Sequence, residues 1–189
     1  MYFEIETNDF KKLKTIILTT FLAVVAWLLL WFKIIIPGPL HLRFDFSLAV
    51  VLYATMLEGV CYGTYIEFIL WLFSLLMGGS TMGIGPTVDF AVGLFAVITF
   101  AALLKAFKGK SVYTLLLCCA FFSMLWSMGI NFLMQPLYGV LFGKELVQRI
   151  FKAVVLASGV FSFFKVFICG SVANLIKNRL QINKEQENS

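Results

Sequence analysis

The chain has 189 residues, of which 61% are apolar, 16% are aromatic and only 13% are charged, and its mean hydropathy is +0.94. A soluble domain is about 45–50% apolar and about 25% charged, so this composition excludes a water-soluble globule. Disorder is excluded as well, because disordered chains have few aromatic residues and many charges. At about 20 residues for each spanning helix, the apolar content predicts a polytopic membrane protein with five or six crossings.

Six apolar segments follow one another along the chain, and Gly, Pro and polar residues separate them. Backbone groups in lipid must bond to each other and the runs lack alternating polarity, so we predict helices rather than strands. The fold class is therefore an all-α membrane protein, a six-transmembrane-helix bundle. We expect a terminal segment at 1–13, a transmembrane domain at 14–178 and a polar tail at 179–189 that frays beyond the last helix. The predicted spans are about 14–36, 46–62, 64–77, 87–107, 112–134 and 147–176.

The basic residues predict the orientation of this bundle. With six spans both termini share one side, and nine Lys and Arg residues fall on that side against four on the other. The positive-inside rule then makes both termini cytoplasmic, in a multi-pass protein of the cell membrane. The loops at 37–45 and 78–86 and the segment 135–148 would face outside. Topology and anionic lipid account for the net charge of +5, so no nucleic-acid partner is expected.

Lys165 is the most informative residue, because an ionisable group at membrane depth is costly and marks a functional candidate. It lies among phenylalanines in the run FSFFKVF. It can donate hydrogen bonds to a buried ligand. Alternatively, it pairs with Glu58, Glu67 or Asp89, or extends to an interface.

Three further polar side chains are candidates for a binding site. The amide of Asn131 offers donors and an acceptor that suit a planar heterocycle, although it can equally join two helices. Asp45, where the second helix begins, can cap that helix and also point into an outer cavity. Asp89 is expected in the first turn of the fourth helix, where the helix dipole favours a negative charge.

Other patterns give little support for chemistry. The four cysteines lie in apolar stretches and His41 is the single histidine, so no metal site, cofactor or disulfide framework is expected. We therefore expect no enzyme. Glu58 and Glu67 flank the predicted inner turn near Gly63 and are expected at the cytoplasmic interface. The glycine-rich segment 78–86 lacks the ending of a nucleotide-binding loop and suits a lid over a pocket or a plain connector.

Several outer-face sequences resemble a known family. The run from Pro39 to Ser47 (PLHLRFDFS) is similar to the segment that opens helix two in riboflavin-type substrate-binding (S) subunits of energy-coupling factor (ECF) transporters. The run from Gly78 to Gly85, followed by Asp89, resembles their loop into helix four. Asn131, followed by Pro-Leu-Tyr, resembles their fifth-helix asparagine and turn. The resemblance covers nearly the whole chain.

This resemblance implies a subunit that captures a vitamin from outside, with riboflavin as the expected ligand. It implies transport together with a transmembrane coupling subunit (EcfT) and two ATP-binding subunits (EcfA and EcfA'). The implied substrate-binding residues are Asn131, Lys165, Asp45, Asp89 and Phe44. The implied lid residues are Gly79, Ser80 and Thr81, and the implied partner interface on the first helix is Thr15, Thr19 and Ala23.

The chain also departs from the riboflavin pattern. Its third helix carries Glu67 and apolar residues where the pattern has Lys-Asn and a histidine, and Asp89 stands where the pattern has asparagine. An S subunit for pyridoxine or a hydroxymethylpyrimidine therefore stays an alternative. A membrane-embedded lipid enzyme or a structural membrane protein without a ligand are alternatives from other classes.

Overall fold

The structure is a computed structural model that describes residues 2–32, 34–35, 43–76 and 84–187. In these residues seven helices follow in chain order, with one short pair of strands between the first two. The helices are α1 (Tyr2–Trp31), α2 (Ser47–Glu58), α3 (Val60–Leu76), α4 (Ile84–Ala106), α5 (Val112–Leu133), α6 (Gln135–Phe142) and α7 (Lys144–Glu187), and the strands are β1 (Ile34–Ile35) and β2 (Arg43–Phe44).

The helices support the prediction of an all-helical membrane protein. Four stretches are long and apolar enough to cross a membrane: Lys12–Trp31, Ile84–Ala106, Val112–Leu133 and Phe151–Ile182. Two shorter apolar helices, α2 and α3, complete the set. Large apolar side chains such as Ile16, Phe21 and Leu133 are exposed, as expected of surfaces that face lipid rather than water.

A sharp turn at Gly59 separates α2 from α3. The φ angle of Gly59 is 98°, a left-handed value that glycine adopts without a steric penalty. Thr55 and Gly63, four residues to either side, are in contact, so the chain doubles back on itself at this point. The tight turn predicted near Gly63 is present but lies four residues earlier, at Gly59. Gly63 itself lies within α3, where its missing side chain makes room for Thr55.

The end of the first helix and the start of the second differ from prediction. The helix was expected to reach residue 36, but it ends at Trp31, and Ile34–Ile35 pairs antiparallel with Arg43–Phe44. The isoleucines are β-branched and favour extended backbone. The loop around Pro37 and the glycine-rich segment from Gly78 to Gly83 lie outside the described residues.

The final part of the chain is more helical than expected. The segment after Gln135 was expected to be a loop, but residues 135–142 form α6, with Pro136 at its N-terminal end, where proline is tolerated. The polar tail at 179–189 was expected to fray, but it is helical as far as Glu187, where α7 ends. The tail contains neither Gly nor Pro and is rich in good helix formers, which explains its continuation.

The core lies where α7 packs against α5 and α2. The largest fully buried side chains include Leu52 of α2, Ile66 of α3, Phe100 of α4, Leu116 of α5 and Val166 of α7. Because all five helices contribute, the core holds the inner face of α7 in a fixed position. The candidate residues of α7 lie on that face.

Candidate functional site

Lys165 forms a largely buried ion pair with Asp45. Its Nζ lies 2.9 Å from Oδ2 of Asp45, and the two side chains are only 19% and 7% exposed. The expectation that Lys165 could pair with an acid is met, and the carboxylate that forms this ion pair, Asp45, was not among the three acids expected. The pair ties the middle of α7 to the segment that enters α2.

The chain around Asp45 holds its carboxylate in place. Oδ1 of Asp45 accepts a hydrogen bond of 3.1 Å from the Ser47 backbone N–H and another from the Ser47 hydroxyl. The Sγ of Cys169 donates to the Asp45 carbonyl at 3.8 Å. Asp45 precedes the N-cap residue, Phe46, so its carboxylate satisfies the first N–H of α2 from one position further out than predicted. One carboxylate thus stabilises the helix end and neutralises Lys165.

Aromatic rings border this ion pair. Phe44 packs edge-on against Phe46 at 5.2 Å and against Phe161 of α7 at 5.9 Å between ring centroids. Phe161 lies one turn before Lys165 on α7, so the rings and the ammonium group occupy neighbouring positions. Phe44, predicted as a site residue, therefore lies beside the charged pair.

Two more carboxylates, those of Glu67 and Asp89, lie close enough to Lys165 to interact with its positive charge. Glu67 of α3 interacts electrostatically with Lys165, Asp45 and Asp89, and Asp89 also interacts with Lys165. Glu67 was expected at the cytoplasmic interface, but it is buried, with 9% of its surface exposed. Asp89 was expected in the first turn of its helix. It lies in the second turn, because α4 already begins at Ile84.

Asn131 joins three helices. Its Nδ2 donates to the Ser127 carbonyl at 2.9 Å and to the Ser158 hydroxyl on α7 at 3.1 Å. The Tyr138 hydroxyl of α6 donates to Oδ1 of Asn131 at 3.5 Å. Burial, with the negative charge of Asp89, raises the pKa of the Tyr138 phenol above its ordinary value. Asn131 thus makes the interhelical contacts that were its alternative role.

The two polar groups share one face of α7. Ser158, the partner of Asn131, lies seven residues before Lys165, which is two helical turns or roughly 10 Å along the axis. Ser162, which lies between them, is buried as well. The described residues therefore place an amide group at one end and an ion pair at the other end of the same buried strip.

Several contributors were not identified from sequence. Ser158 and Tyr138 contact Asn131 from other helices, whereas Ser47 contacts Asp45 two residues before it. Serine is common in transmembrane helices, so the sequence alone did not indicate Ser158 as a site residue. Tyr138 belongs to the Pro-Leu-Tyr sequence next to Asn131, and that proximity was the available clue.

The structure describes the predicted residues of the first helix but not those of the predicted lid. Thr19 and Ala23 are each 4% exposed and pack inside the bundle, while Thr15 is half-buried and its carbonyl accepts from the Thr19 hydroxyl at 2.8 Å. The proposed lid residues Gly79, Ser80 and Thr81 lie outside the described residues. Within the described ranges, no group of three or more His, Cys, Asp and Glu side chains could hold a metal ion.

Comparisons with known proteins agree with this architecture. A family model described as the substrate-specific component of ECF transporters matches residues 14–176. No curated protein matches the chain. A solved structure of the S component of a bacterial ECF transporter matches with a TM-score of 0.73 and 25% sequence identity, covering 90% of this chain and 96% of that chain.

The family model covers well over half of the chain, which confirms the resemblance to S components of ECF transporters. A member of this family is a membrane subunit that binds the substrate of a transporter, and it is not an enzyme. On this evidence the chain belongs to the family of substrate-specific (S) components of ECF transporters.

Proposed function

We propose that this S component captures riboflavin from outside the cell for ATP-driven uptake across the cell membrane. The observation that carries the proposal is the pairing of Lys165 with Asp45 beside Phe44 and Phe161, two helical turns from Asn131. Ionisable groups at membrane depth are costly to bury, which makes them candidates for binding a ligand. In an S component, that ligand is the transported substrate.

The proposed roles follow from the chemistry of each group. Aromatic side chains remove a flat heterocycle from water, which supplies most of the affinity. Lys165 donates a hydrogen bond to a carbonyl or ring nitrogen of the ligand, while Asp45 keeps the ammonium group oriented. Asn131 exchanges one of its present hydrogen bonds for a hydrogen bond to a second edge of the ligand ring. Asp89, together with the loop that contains Gly79, Ser80 and Thr81, closes over the ligand.

The proposed orientation places this site towards the outside. Six helices with both termini in the cytoplasm put the residues before α2 and the loop before α4 on the outer face. The proposed partners are EcfT and the two ATP-binding subunits EcfA and EcfA'. Of the implied partner interface on α1, Thr19 and Ala23 are buried inside this bundle, where their small side chains allow its own helices to approach closely. Thr15, which is half-buried, remains proposed as a contact with a partner subunit.

A second candidate is an S component for pyridoxine or a hydroxymethylpyrimidine. The observation in its favour is the acidic character of the site, with Glu67 and Asp89 near Lys165. Both vitamins are small heteroaromatic molecules with hydroxyl or amino donors. This candidate shares the site and differs only in the ligand.

The decisive experiment is mass spectrometry of the molecule that co-purifies in mild detergent, followed by titration with a panel of vitamins. We expect riboflavin to co-purify and to bind tightly. Retention of pyridoxine or the pyrimidine instead would favour the second candidate. Absence of any vitamin, together with no response in the titration, would contradict both.

Two variants test the residues of the site. Asn131→Ala and Lys165→Ala should each weaken vitamin binding by at least about tenfold, or about 1.4 kcal/mol. The matched controls are Asn178→Ala and Lys152→Ala, which change exposed residues of α7 and should leave affinity unchanged. Wild-type affinity in both site variants would rule out this assignment.

A further inference from the structure

Lysine side chains from two separate parts of the chain lie at one end of the bundle. The turn between α4 and α5 carries Lys108 and Lys110, and both are exposed. Lys177 lies on α7, the helix that packs most extensively against α5, and it is half-buried. We call these three residues the lysine cluster.

Contacts between α5 and α7 show that the members of the lysine cluster lie at the same height. Leu116 of α5 lies against Gly170 of α7, and Met128 lies against Gly159, so the two helices run antiparallel. The cluster is reached six residues before Leu116 on one side and seven residues after Gly170 on the other. At a rise of about 1.5 Å per residue, these positions differ in height by about one residue.

This height corresponds to a surface of the membrane. The turn that carries two of the lysines joins two candidate spans, since α4 ends at Ala106 and α5 begins at Val112. Tyr113, at the start of α5, is exposed, and tyrosine is enriched where the membrane meets water. Phospholipid headgroups lie at this depth, where they meet basic residues that flank a spanning helix.

The local charge favours an anionic headgroup. The chain contains no Asp or Glu from residue 90 to residue 144, or from residue 146 to residue 184. The turn, α5 and residues 146–184 of α7 therefore contribute positive charge only. Lysines close to a membrane surface attract anionic lipids and have no such attraction for zwitterionic ones.

An apolar track leads away from the lysine cluster along the seam between α5 and α7. On α5, Leu117 and Phe121 are each about half exposed, and they share a stripe of the helix with Met128, which contacts α7. On α7, the rings of Phe163 and Phe167 stack 6.4 Å apart and are half-buried. Phe163 follows, one turn later, the glycine that Met128 contacts. The track can accommodate an acyl chain whose headgroup lies at the lysines.

We propose that the lysine cluster and this track bind one anionic phospholipid, with Lys110 and Lys177 holding the headgroup phosphate. An acyl chain of the lipid lies along Leu117 and Phe121. The site is separate from the candidate vitamin site around Lys165 and does not depend on which vitamin is bound. A lipid in this position contacts both α5 and α7.

The test measures lipid retained by the full-length protein in detergent. Delipidated protein is incubated with equal amounts of phosphatidylglycerol and phosphatidylcholine that have the same acyl chains, and native mass spectrometry counts the bound lipids. We expect the wild type to retain phosphatidylglycerol over phosphatidylcholine by at least about tenfold, because two lysines contact the headgroup. Equal retention of the two lipids would overturn the proposal.

A pair of charge variants distinguishes a site from general attraction. Lys110→Gln, Lys177→Gln should reduce bound phosphatidylglycerol by at least about tenfold and leave bound phosphatidylcholine unchanged. The matched control is Lys14→Gln, Arg179→Gln, which removes two exposed cations at the same end, one from α1 and one from another face of α7. The control should retain phosphatidylglycerol as the wild type does. An equal loss in both double variants would overturn the proposal.

Two neighbouring phenylalanines of α5 test the apolar track. Phe121 lies beside α7, whereas Phe122 points about 100° further round the helix, and both are about half exposed. Phe121→Ala should reduce bound phosphatidylglycerol by at least about threefold, and Phe122→Ala should leave it unchanged. Equal retention by these two variants would contradict the proposed path of the acyl chain.

A soluble competitor separates the lipid from its phosphate group. Glycerol 3-phosphate carries the anionic group without an acyl chain, so an excess of it should not displace phosphatidylglycerol from the wild type. Displacement would show that the lysines bind phosphate alone and would overturn the assignment to a lipid.

Discussion

Lys165 and Asp45 are separated by 120 residues and meet in one ion pair with a hydrogen bond of 2.9 Å. Each group is costly to bury alone, and their mutual attraction offsets that cost only while both are present. Ser47 satisfies the remaining side of the Asp45 carboxylate. At the scale of single residues, the site therefore depends on a pair whose members cannot be removed independently.

This dependence predicts the stability of variants without ligand. Lys165→Met should lower the free energy of unfolding by about 3 kcal/mol, because it leaves the Asp45 carboxylate buried and unpaired. Thermal unfolding in one detergent measures the effect. The double variant Asp45→Asn, Lys165→Met should be destabilised by less than the two single changes together. Additive losses, or a stability of Lys165→Met equal to that of the control Lys152→Met, would contradict this prediction.

At the scale of helices, α5 and α7 approach closely because glycine replaces larger residues on α7. A Cβ at Gly170 would overlap the side chain of Leu116, which is fully buried, and one at Gly159 would overlap Met128. In lipid, where no hydrophobic effect drives helices together, such close packing and interhelical hydrogen bonds provide the stability. The Asn131–Ser158 bond lies in the same interface.

The tight contact predicts a position-specific effect of a larger side chain. Gly170→Leu should lower the free energy of unfolding by about 1–3 kcal/mol, since α5 and α7 must separate to accommodate it. Gly129→Leu, on the open side of α5, should change stability little. Both are measured by the midpoint of thermal unfolding. Equal midpoints for the two variants would show that this interface tolerates overpacking.

At the scale of the whole molecule, the positively charged turn between α4 and α5 and the start of α7 should face opposite sides of the membrane. Lys108 and Lys144 are exposed in these two places, and the spanning helix α5 lies between them. The positive-inside rule places Lys108 in the cytoplasm and Lys144 outside.

Cysteine labelling tests this orientation. In a variant without its native cysteines, Lys144→Cys should react with a membrane-impermeant maleimide in intact cells. Lys108→Cys should react only after permeabilisation. The reverse pattern would invert the proposed topology and place the candidate site on the cytoplasmic side.

Composition and motif order were enough to predict a helical membrane protein and its family, because both depend on properties of contiguous segments. Long apolar runs cannot dissolve in water, and the outer-face motifs are local sequences. The same local information identified Lys165, Asn131 and Asp45 as groups that need a partner at membrane depth.

Only the tertiary structure decided which partners these groups have. The pairing of Lys165 with Asp45 joins α7 to the segment before α2. The bond from Asn131 to Ser158 and the burial of Glu67 against Gly93 each join two helices. A helical period shows which residues share a face, but it does not show which face of another helix meets it. That choice is made by packing of the whole bundle, in which small residues such as Gly93 and Gly170 determine where two helices can approach.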